Sequence, residues 1–361
     1  MKSTGCVSLM SMCLLAATAC DRDEHGSGGT NVDGTRSADG VRMDEVDASV
    51  PPDAGDPSDS GGGDDADCAP VERGEYLVKV VAVCGDCHTP RNPDGSFDMT
   101  RFLGGNPSFV DIDPADDAVG NLPTPNLTPH ATGLAGWTAE QIKTAFLDGL
   151  EPDGEALFPV MPYYVFHNMT DKDADAIAAY LATVAPVDHE VPERQPPFSL
   201  IEEPAAPFPV EDIPDTTLTS DDPHFAHAQR GRYLAGFVGI CMECHTKRTD
   251  EMDPSSLDRT KLFAGDEPFE IGKPFGTVYS ANITPDRETG IGKWSAEDVR
   301  VALKEGVEPE GNRLCPPMPA GPEGPFAGFT DEDAEAIGHY LLSIEPIENE
   351  PTAECELPPM P

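Results

Sequence analysis

Two stretches of the chain carry the same hydrophobic pattern at helical spacing. After Thr170, Ile177, Tyr180, Leu181 and Val184 fall at i, i+3, i+4 and i+7, and after Thr330 so do Ile337, Tyr340, Leu341 and Ile344; that spacing puts one apolar stripe on a helix. Pro186 and Pro346 stand just beyond each run, where the helix must have ended. A second pair of helices is predicted to open at Trp137-Thr138-Ala139-Glu140-Gln141 and Trp294-Ser295-Ala296-Glu297-Asp298. Thr138 and Ser295 are its N-caps, with Gln or Asp three residues on, and Gly149 and Gly306 suit left-handed C-caps. A shorter pair spans Tyr76 to Val83 and Tyr233 to Ile240. No stretch of any length alternates apolar and polar residues, and the connecting loops are rich in Pro and Gly. The pattern predicts small all-α domains whose core is completed by something other than side chains.

The pairing of helices reflects an internal repeat. Arg73-Gly74-Glu75-Tyr76-Leu77 returns 157 residues later as Arg230-Gly231-Arg232-Tyr233-Leu234, and Cys84-Gly85-Asp86-Cys87-His88-Thr89 as Cys241-Met242-Glu243-Cys244-His245-Thr246. Arg91, Trp137, Gly149 and Met161-Pro162 match Arg248, Trp294, Gly306 and Met318-Pro319 at the same offset. Beyond the methionines the offset becomes 160, so that Thr170 matches Thr330. Two tandem domains are therefore expected, at 68–188 and 224–348, followed by a tail at 349–361. Between them, 189–223 holds eight prolines, which suits an extended, fairly stiff linker.

The N-terminus reads differently. Lys2 precedes an apolar stretch from Cys6 to Ala19, too short to span a bilayer and typical of a secretory signal over 1–20. It ends Ala17-Thr18-Ala19-Cys20, which resembles the lipobox of bacterial lipoproteins and makes Cys20 the candidate lipidation site; secretion after Ala19 is the simpler alternative. Residues 21–67 carry 14 acidic and 3 basic side chains and almost no large apolar ones, so a disordered acidic tether is expected there. The whole chain has a formal net charge of −43. Nucleic acid is excluded as a natural partner, and a protein with a basic docking face fits better.

The two Cys-x-x-Cys-His motifs carry the chemistry. This motif attaches haem c: both thiols bond to the porphyrin while the adjacent His ligates iron from the same face. A redox dithiol leaves the His without a role, and a four-cysteine zinc site would have to join motifs far apart in two duplicated segments. Cys84, Cys87, Cys241 and Cys244 are thus the expected attachment residues, with His88 and His245 as iron ligands. For the opposite axial position, Met161 and Met318 each lie 73 residues after the motif His, and each is followed by Pro. Ordinary core methionines are the alternative, but no other Met or His is matched between the copies. His/Met ligation closes both axial positions and favours electron transfer over bond breaking. Trp137 and Trp294, the only tryptophans, either reach a haem propionate or simply pack as core aromatics. Arg91 and Arg248 either offset propionate charge or lie exposed. In an oxidising compartment Cys315 and Cys355 are a candidate disulfide, with Cys68 competing; a Cys315 thiolate ligand is a minor alternative.

With these residues in view, the domains resemble class I cytochromes c. The run Asn282-Ile283-Thr284-Pro285-Asp286 through Thr289-Gly290-Ile291-Gly292-Lys293-Trp294, the Met-Pro loop, and Thr330-Asp331-Glu332-Asp333 are similar to the cytochrome c subunits of membrane-bound periplasmic alcohol, aldehyde and gluconate dehydrogenases. Asn126-Leu127-Thr128-Pro129 through Thr132-Gly133 to Trp137 is a weaker version. Members of that family usually carry three haem domains, and this chain has two motifs. The resemblance implies a periplasmic, lipid-anchored dihaem electron carrier. It would pass electrons from a dehydrogenase or quinol-oxidising complex to an oxidase or small carrier. The competing class is a dihaem peroxidase-like enzyme, which needs one open haem; a haem-based sensor lacks an output domain here.

Overall fold

The computed structural model describes residues 70–112, 119–272 and 275–352. The leader with Cys20, the acidic 21–67 stretch, Cys68, and Cys355 with most of the tail lie outside the described residues.

The first copy runs α1 (Pro70–Tyr76), a π-helical turn (Leu77–Val81), α2 (Cys84–His88), β1 (Asn106–Asp111), β2 (Asn121–Thr124), α3 (Ala139–Asp148), α4 (Tyr163–Phe166) and α5 (Asp171–Leu181). The second repeats that order as α6 (Phe225–Tyr233), a π-helical turn (Leu234–Val238), α7 (Cys241–Cys244), β3 (Pro268–Gly272), β4 (Gly276–Tyr279), α8 (Ala296–Glu305) and α9 (Asp331–Leu341), with a 3-10 turn at Pro325–Gly328 in place of α4. The caps read from the sequence are present. Thr138 and Ser295 close reciprocal capping boxes with Gln141 and Asp298, and Gly149 and Gly306 end the helices at φ 69° and 68°. Helices α5 and α9 end at Leu181 and Leu341, so Val184 and Ile344 extend each apolar stripe one turn past the helix proper.

The all-α expectation is overturned. β1 pairs antiparallel with β2, and β3 with β4, so two small sheets accompany the helices. Each strand has four to six residues, a single partner strand, and a pair whose register is interrupted. β2 is buried at three consecutive positions and so on both faces, while β1 and β4 show no regular in-and-out burial, so no alternation is imposed on the sequence; β1 carries Pro107, and β3 begins at Pro268.

Close helix packing explains the glycine of the repeated Arg-Gly-x-Tyr-Leu segment. A Cβ on Gly74 would stand 1.9 Å from the Ala176 carbonyl oxygen of α5, and one on Gly231 equally 1.9 Å from that of Ala336 on α9. Only hydrogen fits where α1 crosses α5 and α6 crosses α9. Leu77, Val78, Ala174 and Ile177, with Leu234, Val238, Ala334 and Ile337, fill the core on either side.

The same segment joins the two copies, which share one compact unit. Arg73 forms a two-pronged ion pair with buried Asp173, both bonds 2.8 Å. The second oxygen of that carboxylate also accepts the Tyr233 hydroxyl of the other copy at 2.8 Å. In mirror fashion Arg230 pairs with buried Asp333, which accepts the hydroxyl of Tyr76 at 2.7 Å. Each copy thus lends a phenol to its neighbour's buried carboxylate. The intervening 189–223 segment is hydrogen-bonded along its length: Arg194 donates to Ala156 O at 2.7 Å, Phe208 N–H to Tyr164 O at 2.8 Å, and Thr217 N–H to Ser343 O at 2.7 Å. Phe198, Phe208 and Ile213 are buried along it.

Candidate functional site

Two residues beyond each π-helical turn, the chain passes through the left-handed region at Val83 (φ 44°) or Ile240 (φ 50°). A β-branched side chain is rarely found there. Its recurrence immediately before both first cysteines marks a turn imposed by the fold. The turn starts a fresh helix, so that Cys84, Cys87 and His88, and Cys241, Cys244 and His245, lie within about one turn of each other. Among the described cysteines, the four of these motifs are free. Burial pushes each thiol up to about 12, and Asp86 adds to this at Cys84 and Cys87, as Glu243 does at Cys244.

Both histidines are buried, and each ring is oriented by one backbone carbonyl. His88 Nδ1 lies 2.9 Å from Pro125 O, and His245 Nδ1 lies 2.8 Å from Ala281 O. A carbonyl only accepts, so Nδ1 carries the proton and the Nε2 lone pair is left for a ligand bond. Burial lowers His88 to about 4 and also lowers His245, which keeps both imidazoles neutral.

The orienting carbonyls are themselves fixed. Next to Pro125, Asn126 donates to Thr132 Oγ1 (3.0 Å) and Val187 O (2.8 Å) and accepts from Thr128 N–H (2.9 Å). Next to Ala281, Asn282 donates to Thr289 Oγ1 (3.1 Å) and Ile347 O (2.8 Å) and accepts from Thr284 N–H (3.0 Å). Thr89 and Thr246, directly after the histidines, accept the N–H of Leu103 (3.2 Å) and Phe263 (3.0 Å).

The two attachment segments lie near each other. A Cβ on Gly239 would stand 3.6 Å from Val81 O, which joins the ends of the π-helical turns. Cys244 acts electrostatically on Cys87, and Asp86 on Cys244. Met161 and Met318 occupy matching turns, their N–H groups donating to the carbonyls three residues earlier, Phe158 and Cys315, both at 3.2 Å. Both are half-buried against the core, as are Trp137 and Trp294.

No protein-family model matches the chain. The cytochrome subunit of fructose dehydrogenase from Gluconobacter japonicus is 31% identical over 286 residues, covering 76% of this chain and 52% of that protein. The cytochrome c subunit of gluconate 2-dehydrogenase from Pantoea cypripedii is 30% identical over 288 residues, 78% of this chain and 61% of the relative. A diheme c-type cytochrome from Cereibacter sphaeroides is 27% identical over 287 residues, 77% of this chain and 87% of the relative. The chain resembles cytochrome c subunits. It spans about half the length of the fructose dehydrogenase subunit it matches.

In this cytochrome-like chain, matched sequence positions do not always have matched surroundings. Arg91 is exposed, donates to Gly95 O at 2.9 Å and covers the Phe97 ring at 4.2 Å. Arg248 instead bonds two buried carboxylates, Glu267 at 2.7 Å and Glu243 at 3.0 Å. Glu243 lies inside the second motif, where burial raises its carboxyl to about 7 against the pull of Arg248. Neither indole N–H makes a hydrogen bond among the described residues. Cys315 is disulfide-bonded, so it is no thiolate ligand, while Cys355 lies outside the described residues. The sequence reading missed the supporting roles of Asn126, Asn282, Thr89 and Thr246. The signal was there, since each recurs in both copies.

Proposed function

We propose that the chain is a periplasmic dihaem c-type cytochrome. It carries electrons from a membrane-bound dehydrogenase or quinol-oxidising complex to a downstream oxidase or small carrier. The observation that carries this reading is the repeated buried imidazole, neutral and tethered through Nδ1, immediately after a pair of free thiols. Those donors fit haem c. Cys84 and Cys87, and Cys241 and Cys244, would hold the two groups covalently. His88 and His245 would each ligate an iron through nitrogen, and Met161 and Met318 would do so through sulfur. When bound, each haem supplies an iron that takes up and releases one electron. Trp137 and Trp294 have unspent indole N–H groups for a propionate.

The names of the relatives support electron transfer as subunits of dehydrogenase assemblies. In this reading residues 68–188 and 224–348 hold one haem each. A leader over 1–20 exports the chain, a lipid on Cys20 anchors it, and the 21–67 tether separates it from the bilayer. No helix among the described residues is long and apolar enough to cross a membrane. Cys355 closes the disulfide of Cys315 and steadies the turn that carries Met318.

Ferric and ferrous optical spectra of the purified protein, with haem quantified per chain and carbon monoxide added, test this reading. Two low-spin haems with the Met-sulfur charge-transfer band and no carbon monoxide binding are expected. A high-spin or ligand-binding haem would overturn the ligation and favour a peroxidase-like enzyme.

A further inference from the structure

Eight histidines lie among the described residues, and five have a hydrogen-bond partner at Nδ1. His88, His189 and His245 face backbone carbonyls, His130 faces Thr132 and His167 faces Asp148. The remaining three, His224, His227 and His339, make no side-chain hydrogen bond among the described residues, and they are together. His224 caps the start of α6, His227 follows one turn later on the same face, and His339 lies in the last turn of α9. Ring centroids are 4.2 Å apart for His224 and His339, and 5.7 Å for His227 and His339. One nitrogen from each ring lies within 4.8 Å of the other two.

The helices that bring them together are fixed at the Gly231–Ala336 crossing, where the backbones touch. The rings are stacked, with His339 at 18° to His224 and 15° to His227; two are exposed and the third is half-buried, so the exposed rings are free to turn and direct their lone pairs to one point. Asp222, which accepts the His224 N–H at 2.8 Å, and Glu335 are close enough to act on His339 electrostatically. They favour a cation at that spot, and the strongly acidic chain raises the local concentration of cations. In the first copy the equivalents of His227 and His339 are Pro70 and Ala179; the cluster belongs to the second copy alone.

We propose that His224, His227 and His339 bind one divalent transition-metal ion of the zinc or copper type, with water completing the coordination. Three imidazoles are the borderline donors these ions prefer, whereas magnesium and calcium demand oxygen. The ion bridges the first turn of α6 and the last turn of α9. The site is independent of the haem reading, since none of its ligands belongs to the Cys-x-x-Cys-His segments.

Equilibrium dialysis of the full-length holoprotein against Zn2+, in excess Mg2+ to occupy the carboxylates, tests it. One zinc per chain is expected to survive the magnesium. His339→Ala and His224→Ala should each weaken binding by at least about tenfold, since even loss of a group that only supports a ligand costs that much, while His167→Ala should not. His224 is exposed, so its variant keeps the test sound should His339→Ala lose its native circular dichroism. With Cu2+, electron paramagnetic resonance should show coupling to imidazole nitrogens that the triple alanine variant lacks. No bound zinc, displacement by magnesium, or equal binding in the His224 and His167 variants would overturn the site.

Discussion

At the scale of single residues, the site depends on side chains that hold other groups still. Asn282 donates twice and accepts from Thr284 in one buried loop, beside the carbonyl that orients His245. Asn282→Ala strands those partners, and should cost about 1–3 kcal/mol, read as a lower denaturant midpoint of the holoprotein. Asn126→Ala should do the same in the first copy. The proposed sulfur ligands make a sharper prediction. Met318→Ala removes the proposed sulfur ligand of the second haem, so carbon monoxide should bind one haem of the two while the wild type binds none. Carbon monoxide difference spectra with haem counted per chain would show it, and a silent variant would assign Met318 to the core instead.

At the scale of elements, the decisive feature is the distance at which helices cross. Gly231→Ala drives a methyl group into the Ala336 carbonyl of α9. Overpacking of this kind costs about 1–3 kcal/mol or more, so a lowered Tm is expected; Gly74→Ala should behave alike against α5. The helices of the second and third pairs were legible because their signals are local: Thr138, Ser295, Thr170 and Thr330 bond within their own first turn, and Gly149 and Gly306 turn the chain on themselves. The hairpins were not, because a strand such as Asn121–Thr124 is chosen by its partner and by the Gln195 contacts at its edge, not by an alternation of its own. The motif cysteines and histidines could be read from spacing alone. The carbonyls of Pro125 and Ala281 could not, since any residue supplies one.

At the scale of the whole molecule, burial and the neighbouring carboxylate raise Tyr76 beside Asp333 and Tyr233 beside Asp173 above the ordinary tyrosine range. The unfolded chain releases those protons near pH 10 while the folded chain keeps them. Stability is therefore present below about pH 10 and falls as pH rises above it. Tyr76→Phe and Tyr233→Phe should each cost about 1.5–3 kcal/mol near neutrality, as hydrogen bonds to charged groups do, and should flatten that alkaline decline in urea titrations. The acidity of the chain acts at longer range: association with a basic redox partner should slow as salt is added, and a rate indifferent to ionic strength in stopped flow would argue for an apolar docking face. The exchanged phenols also make the two copies answerable to each other. A tyrosine in one copy answers to an aspartate in the other, so a substitution in either copy is felt in both. A change at Tyr76 is judged in α9, and one at Tyr233 in α5. Severed within 189–223, each fragment would keep its own Arg–Asp pair but lose the phenol that the other copy lends to it, and mixing the fragments should restore that bond.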